Sequence, residues 1–202
     1  MSYTALTDGG QYSTGSLNWA VKRVLDGNWS STDQTTYGST MNDWDTSQVT
    51  DMSNLFIFKN TFNEDISNWD VSSVTNMLSM FDGASAFNQD ISGWDTSSVT
   101  NMKYMFNNAT AMDQPLQYWD TTKVTPAGLE QSGYTQMFSG ATAMLDRGFT
   151  ATPTSAEFNQ SRPATSVTTS ELQAIDDNDT DANLSNPSDN KKRLAIALAK
   201  LT

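Results

Sequence analysis

The 202-residue chain contains neither cysteine nor histidine. Without cysteine there are no disulfides, no thiolate nucleophiles and no iron–sulfur clusters. Without histidine the commonest general base is missing, together with Ser-His-Asp and Cys-His sites and nearly every zinc site. These absences argue against an enzyme, and a glycosidase that works with carboxylates alone is the main exception.

Basic residues are also few, with 11 Lys and Arg against 23 Asp and Glu, for a net charge of −12. Because binding to phosphates needs clustered basic side chains, this charge argues against a nucleic-acid partner. It equally disfavours adsorption to anionic membranes. No run approaches 18 apolar residues, so we predict no membrane span. The first residues combine no basic stretch with an apolar one, so we predict no standard secretory signal.

The most prominent feature of the sequence is a repeat of 25 residues. Tryptophans recur at this spacing, an aspartate follows each of them, and a valine comes five positions later. The series are Trp44, Trp69, Trp94 and Trp119; Asp45, Asp70, Asp95 and Asp120; and Val49, Val74, Val99 and Val124. A fixed period of 20–50 residues is typical of proteins built from stacked units, which bury together what no single unit can bury alone.

Within one unit the apolar pattern predicts two short elements. Val99, Met102, Met105 and Phe106 follow a helical spacing. The segment 89–94, with a β-branched and an aromatic residue, favours a short strand. One strand and one helix in 25 residues is the size of a leucine-rich-repeat turn. The sequence therefore predicts a short α/β solenoid with a continuous apolar core.

The positions of the repeats divide the chain into four predicted segments. Trp19, Tyr37 and Met41 keep repeat positions without the polar pattern, so residues 1–43 are predicted to be an N-terminal capping region with a degenerate repeat. Residues 44–148 are the repeat region, interrupted by seven inserted residues after Thr125. Residues 149–169 are predicted to be an extended linker rich in Thr, Ser and Pro. Residues 170–202 combine an acidic segment with a C-terminal amphipathic helix.

The C-terminal helix needs a docking surface. Leu194, Leu198 and Leu201 lie on one face of the expected helix, and a helix of this length is marginal on its own. It would cap its own repeats or dock on a neighbouring subunit, and the sequence leaves both alternatives open.

The repeat also resembles a known family. The stretch 87–102, which reads Phe-Asn-Gln-Asp-Ile-Ser-Gly-Trp-Asp-Thr-Ser-Ser-Val-Thr-Asn-Met and is followed by Met105-Phe106, is similar to the BspA-like leucine-rich repeats. The resemblance covers residues 41–144. These repeats have no assigned function and occur in bacterial surface lipoproteins, mycoplasma and listeria proteins, and some viruses and algae. The resemblance implies a right-handed α/β solenoid with an adhesive or recognition face and no catalytic residues.

A recognition face would use positions that vary between fixed ones. The position before each tryptophan does so, and it is occupied by Asp43, Asn68, Gly93 and Tyr118. The aspartate after each tryptophan could instead belong to a catalytic carboxylate pair, but a pair has no reason to recur in every unit, which favours turn capping. The recurring asparagines are expected to satisfy turn backbone groups, with sugar binding as the alternative; they are Asn63, Asn76, Asn88 and Asn101.

One segment resembles a calcium loop. Asp177, Asp179 and Asp181 match its first, third and fifth ligands. Ala182 replaces the turn glycine and Ser188 stands where a bidentate glutamate belongs. These departures favour a solvated acidic linker, so we expect no cofactor, with Ca²⁺ as the alternative.

Together these patterns predict a non-enzymatic structural or recognition protein. The setting that we favour is the surface of a virion, as a phage capsid decoration or tail-associated protein whose partners are other virion subunits or copies of itself. The alternative is a bacterial cell-surface adhesin that binds a host protein or glycan. A carboxylate glycosidase is the remote alternative.

Overall fold

The computed structural model describes residues 3–8, 13–124 and 133–160. Three α-helices lie in these ranges, α1 (Leu17–Leu25), α2 (Ser31–Tyr37) and α3 (Thr142–Asp146). Three single turns of 3₁₀ helix accompany them, and their bounds are Met41–Asp43, Leu116–Tyr118 and Ser155–Glu157. No helix in the described part is long and apolar enough to cross a membrane.

The first two helices begin at serine caps. Ser16 accepts a hydrogen bond from the backbone N–H of Trp19 at the start of α1. Ser30 and Asp33 form a reciprocal capping box at the start of α2. The apolar face of α1, with Leu17, Ala20 and Val21, is buried in the hydrophobic core. The two helices thus occupy the residues in which the sequence placed a degenerate repeat.

The predicted α/β solenoid is wrong. In the described ranges there is no β-strand, helices make up only about 21% of the residues, and the repeat segments predicted to be helices are turns. Sheet-like pairing is limited to isolated parallel bridges, such as that between Asp51 and Asn76. The 3-3-1 apolar spacing that suggested a helix arises instead from a chain of turns that buries the same side chains.

Successive units are joined by a backbone ladder that explains this difference. In each unit, alternate N–H groups donate to carbonyls 24 residues later, over distances of 2.7–2.9 Å, as Phe56 does to Met80 and Phe81 does to Met105. These N–H groups are therefore not available for the i−4 carbonyls that an α-helix would use. Two residues in each segment adopt left-handed φ values, as Tyr104 (57°) and Asn108 (57°) do, and this also excludes a helix. After the insertion the ladder continues with an offset of 31, seven more than before, as Phe106 donates to Met137.

Aromatic rings form the core of the stack. Adjacent Phe rings lie 5.4–5.6 Å apart with planes inclined by 5–13°, in the order Phe56, Phe81, Phe106 and Phe138. The four repeated tryptophans are only 1–4% exposed and lie in one apolar cluster, as the repeat pattern predicted. At the N-terminal end, Trp29 extends this aromatic core, with its ring 5.1 Å from that of Trp44.

Residues outside the regular repeats pack on both ends of the stack. At the N-terminal end the Asp8 carboxylate accepts hydrogen bonds from the backbone N–H groups of Thr50 and Asp51. At the other end residues 149–160, which belong to the expected linker 149–169, contribute Phe149 and Phe158 to the core. All described residues belong to one compact unit, which spans Met1–Gln160. The predicted linker beyond position 160 and the predicted C-terminal helix lie outside the described residues.

Candidate recognition surface

The row that precedes the tryptophans lies at the surface of the stack. Asp43, Asn68 and Gly93 are exposed, and Tyr118 is half-buried. Asp43 and Tyr118 end the 3₁₀ turns Met41–Asp43 and Leu116–Tyr118, so turns of the same kind position the first and last members. We call these four residues the pre-tryptophan row. The ladder keeps its members in register, one in each unit.

Hydrogen bonds to neighbouring residues fix the first two members of the row. The Asp43 carboxylate accepts hydrogen bonds from the backbone N–H and the hydroxyl of Thr40, both at 2.9 Å. The backbone N–H of Asn68 donates to the Asn42 side chain at 2.8 Å, and that side chain in turn donates to Asp65. Among the described residues no group bonds to the side-chain amide of Asn68, which therefore remains available to a partner.

Gly93 leaves the row open at its third position. A Cβ built on this glycine would meet no heavy atom within 4 Å. The surface between Asn68 and Tyr118 is therefore a shallow gap in which backbone is accessible. A binding partner could approach the stack most closely there.

The aspartates that follow the tryptophans act as turn caps. Each carboxylate accepts the backbone N–H two residues later at 2.9–3.1 Å, and the series is Asp45, Asp70, Asp95 and Asp120. The two hydrogen bonds from Thr122 lower the pKa of Asp120 against a smaller opposing effect of burial. These carboxylates are used inside their own turns, the role that the sequence favoured over a catalytic pair.

The recurring asparagines connect one unit to the next. Asn63 accepts the backbone N–H of Asn88 at 2.9 Å, and Asn88 accepts that of Asp113 at the same distance. On another face, Asn101 donates to Asn76, which donates to Asp51. Since these amides are engaged in the stack, they do not form the free rows that sugar binding would require.

Burial raises the pKa of two ionisable groups. For Asp82, burial outweighs the hydrogen bond that its carboxylate accepts from Asn107 at 2.9 Å, and the pKa rises. For Tyr134, burial is again the largest effect, and its hydroxyl donates to the carbonyl of Thr121 at 3.1 Å. Tyr134 therefore stays protonated and serves as a buried hydrogen-bond donor.

The described residues contain no group of three or more carboxylates that could hold a metal ion. The calcium candidates Asp177, Asp179 and Asp181 lie outside the described part of the chain, and so do Leu194, Leu198 and Leu201. Both remain predictions.

The structure also contains a groove that the sequence did not reveal. It has a volume of about 530 Å³ and lies between α1 and residues 51–59 of the first unit. Val21 and Leu25 line one wall, and Leu55 and Ile57 line the other. We call it the edge groove. The sequence does mark this end of the stack, because Phe58 occupies a position that later units fill with Gly83 and Asn108. In the structure the Phe58 side chain is 71% exposed, and its φ is 55°.

Comparison with known proteins places the chain in a family. No curated protein and no solved structure matches it. A family model described as "Mycoplasma protein of unknown function, DUF285" matches residues 20–150, well over half of the chain and including all the regular repeats. The chain therefore belongs to the DUF285 family.

Proposed function

We propose that this protein is a non-enzymatic recognition protein that binds a protein partner through the pre-tryptophan row. The observation that carries the proposal is that the polar residues common to the units make hydrogen bonds within the stack, whereas the residue before each tryptophan differs from unit to unit. The aspartates after the tryptophans and the recurring asparagines are engaged in turns or between units, and so is the carboxylate of Asp43. The row nevertheless presents four different residues at one structural position, among them the exposed Asn68 and Gly93. A fixed framework that displays varied residues is suited to binding and specificity.

The chemistry of the row suits a polar protein surface. It offers one carboxylate, one free amide, one bare backbone position and one phenol. Tyr and Asn are residues with which protein interfaces combine contact area and hydrogen bonding. The resemblance to the BspA-like repeats points the same way, because it implies a recognition face without catalytic residues.

The surface of a virion is the setting that we propose, with a bacterial cell surface as the alternative. The support comes from the composition of the sequence, which is acidic and contains neither cysteine nor histidine. A mass-spectrometric inventory of purified particles tests this part of the proposal. Detection at a fixed ratio to a capsid or tail subunit is expected, and its absence from intact particles overturns it.

The row itself is tested by site-specific photocrosslinking in the particles or cells that produce the protein. A photoreactive phenylalanine analogue at Asn68 is expected to capture one defined partner protein. The same analogue at Ser73, an exposed residue of the same unit outside the row, is the matched control. Identical products from both positions would contradict a role of the row.

The captured partner then allows a binding measurement. The double variant Asn68→Ala/Tyr118→Ala is expected to bind at least about tenfold more weakly, because truncation of central contacts costs more than about 1 kcal/mol. A thermal midpoint close to that of the parent chain excludes unfolding as the cause. Unchanged affinity in a folded double variant would overturn the proposal.

A further inference from the structure

The first repeat unit has an edge whose backbone carbonyls are unoccupied in the described part of the chain. In every later unit the equivalent carbonyls accept hydrogen bonds from the preceding unit. At each junction, four alternate carbonyls of the later unit accept backbone N–H groups of the earlier one. The acceptors belong to residues 76, 78, 80 and 82, to residues 101, 103, 105 and 107, and to residues 133, 135, 137 and 139. Four acceptors at alternate residues are thus a constant property of the unit.

The corresponding carbonyls of the first unit belong to Asp51, Ser53, Leu55 and Ile57. No N–H group of the described residues donates to any of the four. The same four residues line the edge groove, with α1 as the opposite wall. The groove therefore lies where a preceding unit would stack, because α1 and α2 take the place of that unit in the chain.

We propose that the edge groove binds a segment of another polypeptide that adopts the chain of turns seen in the repeat units. The segment donates backbone N–H groups from alternate residues to the carbonyls of Asp51, Ser53, Leu55 and Ile57. Its apolar side chains pack against Leu25 of α1, which is only partly buried. This is the addition of a chain to an open edge, in which backbone hydrogen bonds provide affinity and side-chain pockets provide selectivity.

The stack itself identifies the occupant. Residues 52–58, 77–83 and 102–108 each donate from alternate N–H groups to the next unit, so a segment of this kind is complementary to the edge. Stacking of a second copy end to end is disfavoured, because two of the ladder donors at the opposite end are engaged. There Gln136 donates to the Thr152 hydroxyl and Phe138 to the carbonyl of Ala151, both at 3.0 Å.

A synthetic peptide with the sequence of residues 74–85 tests the inference on the full-length protein. In the stack this segment donates from positions 77, 79, 81 and 83. Binding is measured by fluorescence anisotropy, and carbonyl ¹³C resonances of Asp51, Ser53, Leu55 and Ile57 are expected to shift on titration. No binding at about 1 mM peptide, a weak affinity by the standards of protein interactions, overturns the proposal.

Backbone methylation separates the proposed hydrogen bonds from adhesion of apolar side chains. N-methylation at positions 77, 79, 81 and 83 removes the donors and is expected to weaken binding at least about tenfold. Methylation at positions 74 and 76, whose N–H groups make no hydrogen bond within this segment, leaves the donors in place, and the affinity is expected to stay within about threefold of the parent peptide. Equal losses for the two methylated peptides overturn the proposal.

Matched protein variants locate the binding. Asn18 lies on α1 and lines the groove, and Asn18→Trp fills it. Gln34→Trp places the same side chain on the exposed surface of α2, away from the groove. Loss of peptide binding in Asn18→Trp alone, with both variants melting like the parent, is the expected result. Peptide binding retained by folded Asn18→Trp, or carbonyl shifts produced by self-association alone, overturns the proposal.

Discussion

The indole rings of Trp94 and Trp119 lie nearly parallel, with centroids 6.3 Å apart and planes inclined by 4°. Each indole N–H also donates to a carbonyl 28 residues earlier, from Trp94 to Ile66 and from Trp119 to Ile91. Trp69 donates in the same way to Met41 at 2.7 Å. The tryptophans thus hold units together by stacking and by a directional bond that a phenylalanine could not make.

Trp44 is the one repeated tryptophan whose indole N–H has no hydrogen-bond partner among the described residues, so its substitution can be compared with that of Trp69. It is as deeply buried as Trp69, at 3% exposure, but its Nε1 has no hydrogen-bond partner in the described part of the chain. Trp69→Phe and Trp44→Phe remove similar volumes, and only the first also removes a hydrogen bond. We therefore expect Trp69→Phe to lower the free energy of unfolding by about 1 kcal/mol more than Trp44→Phe.

Urea denaturation followed by far-UV circular dichroism measures this difference without relying on tryptophan fluorescence. Equal losses in the two variants would contradict a stabilising role for the indole N–H of Trp69. A larger loss in Trp44→Phe would show that ring contacts at the N-terminal end dominate.

A second prediction concerns the turn that carries Asp43. Gly38 has a φ of 124°, and a Cβ at this position would lie 2.6 Å from the Cβ of Asp43 and 3.2 Å from its carbonyl carbon. Because one of these atoms belongs to the backbone, the clash cannot be relieved by a side-chain rotation. Gly38→Ala is therefore expected to destabilise the protein by about 2–3 kcal/mol, from strain and overpacking together.

Gly148→Ala is the control for this variant. Gly148 also has a positive φ, 106°, but a Cβ there would meet no atom within 4 Å. Its substitution introduces backbone strain alone, at about 1 kcal/mol. Thermal denaturation of both variants measures the difference, and equal destabilisation would show that Asp43 does not pack closely on Gly38.

The sequence predicted the register of this fold better than its backbone. Trp69 and Trp94 are buried at equivalent positions because a 25-residue period of large apolar residues must be buried by stacking, whatever the local conformation. The helix predicted around Val99 and Met105 was wrong, because a chain of turns can bury the same spacing of side chains. The competing ladder bonds join residues 24 apart, and no local pattern shows them.

The candidate sites show the same limit. The pre-tryptophan row could be found from sequence because variable positions flanked by fixed ones in a repeat share one location. The edge groove could not, since it exists only where α1 and α2 replace a stacked unit. Only Phe58, a large apolar residue at the position of Gly83, marks that end of the stack in the sequence.

A third prediction concerns Asp33, which ties α1 to α2. One oxygen of its carboxylate accepts hydrogen bonds from Ser30 and from Arg23, the latter at 2.8 Å to Nη2. Burial opposes ionisation, but the bonds from Ser30 and then Arg23 outweigh it and lower the pKa of Asp33. A lowered folded-state pKa stabilises the protein above the ordinary value of 3.8, and this contribution is lost as the pH falls through the folded-state pKa.

Asp33→Asn is therefore expected to lower the free energy of unfolding at pH 7 by about 1–3 kcal/mol, because it leaves Arg23 without its counterion. The difference from the parent chain should shrink between about pH 4 and pH 2, where the parent carboxylate is itself protonated. Chemical denaturation across this range provides the measurement. A difference independent of pH would show that the charge of Asp33 does not contribute.

The last prediction uses two aspartates with pKa shifts of opposite sign. Burial raises the pKa of Asp82, so the folded state binds its proton more tightly than the unfolded chain does, and the ionised group destabilises the fold at neutral pH. Asp82→Asn keeps an oxygen that can accept from Asn107 and removes the charge. It is expected to raise the free energy of unfolding at pH 7 by less than about 1 kcal/mol, and this gain should disappear on acidification toward pH 4.

Asp120→Asn is the control for this variant. Hydrogen bonds from Thr122 lower the pKa of Asp120, so loss of the Asp120 carboxylate should destabilise the protein at pH 7. Urea denaturation of the two variants at pH 7 and pH 4 should give shifts of opposite sign at the higher pH, and shifts of the same sign would refute this assignment of the two environments.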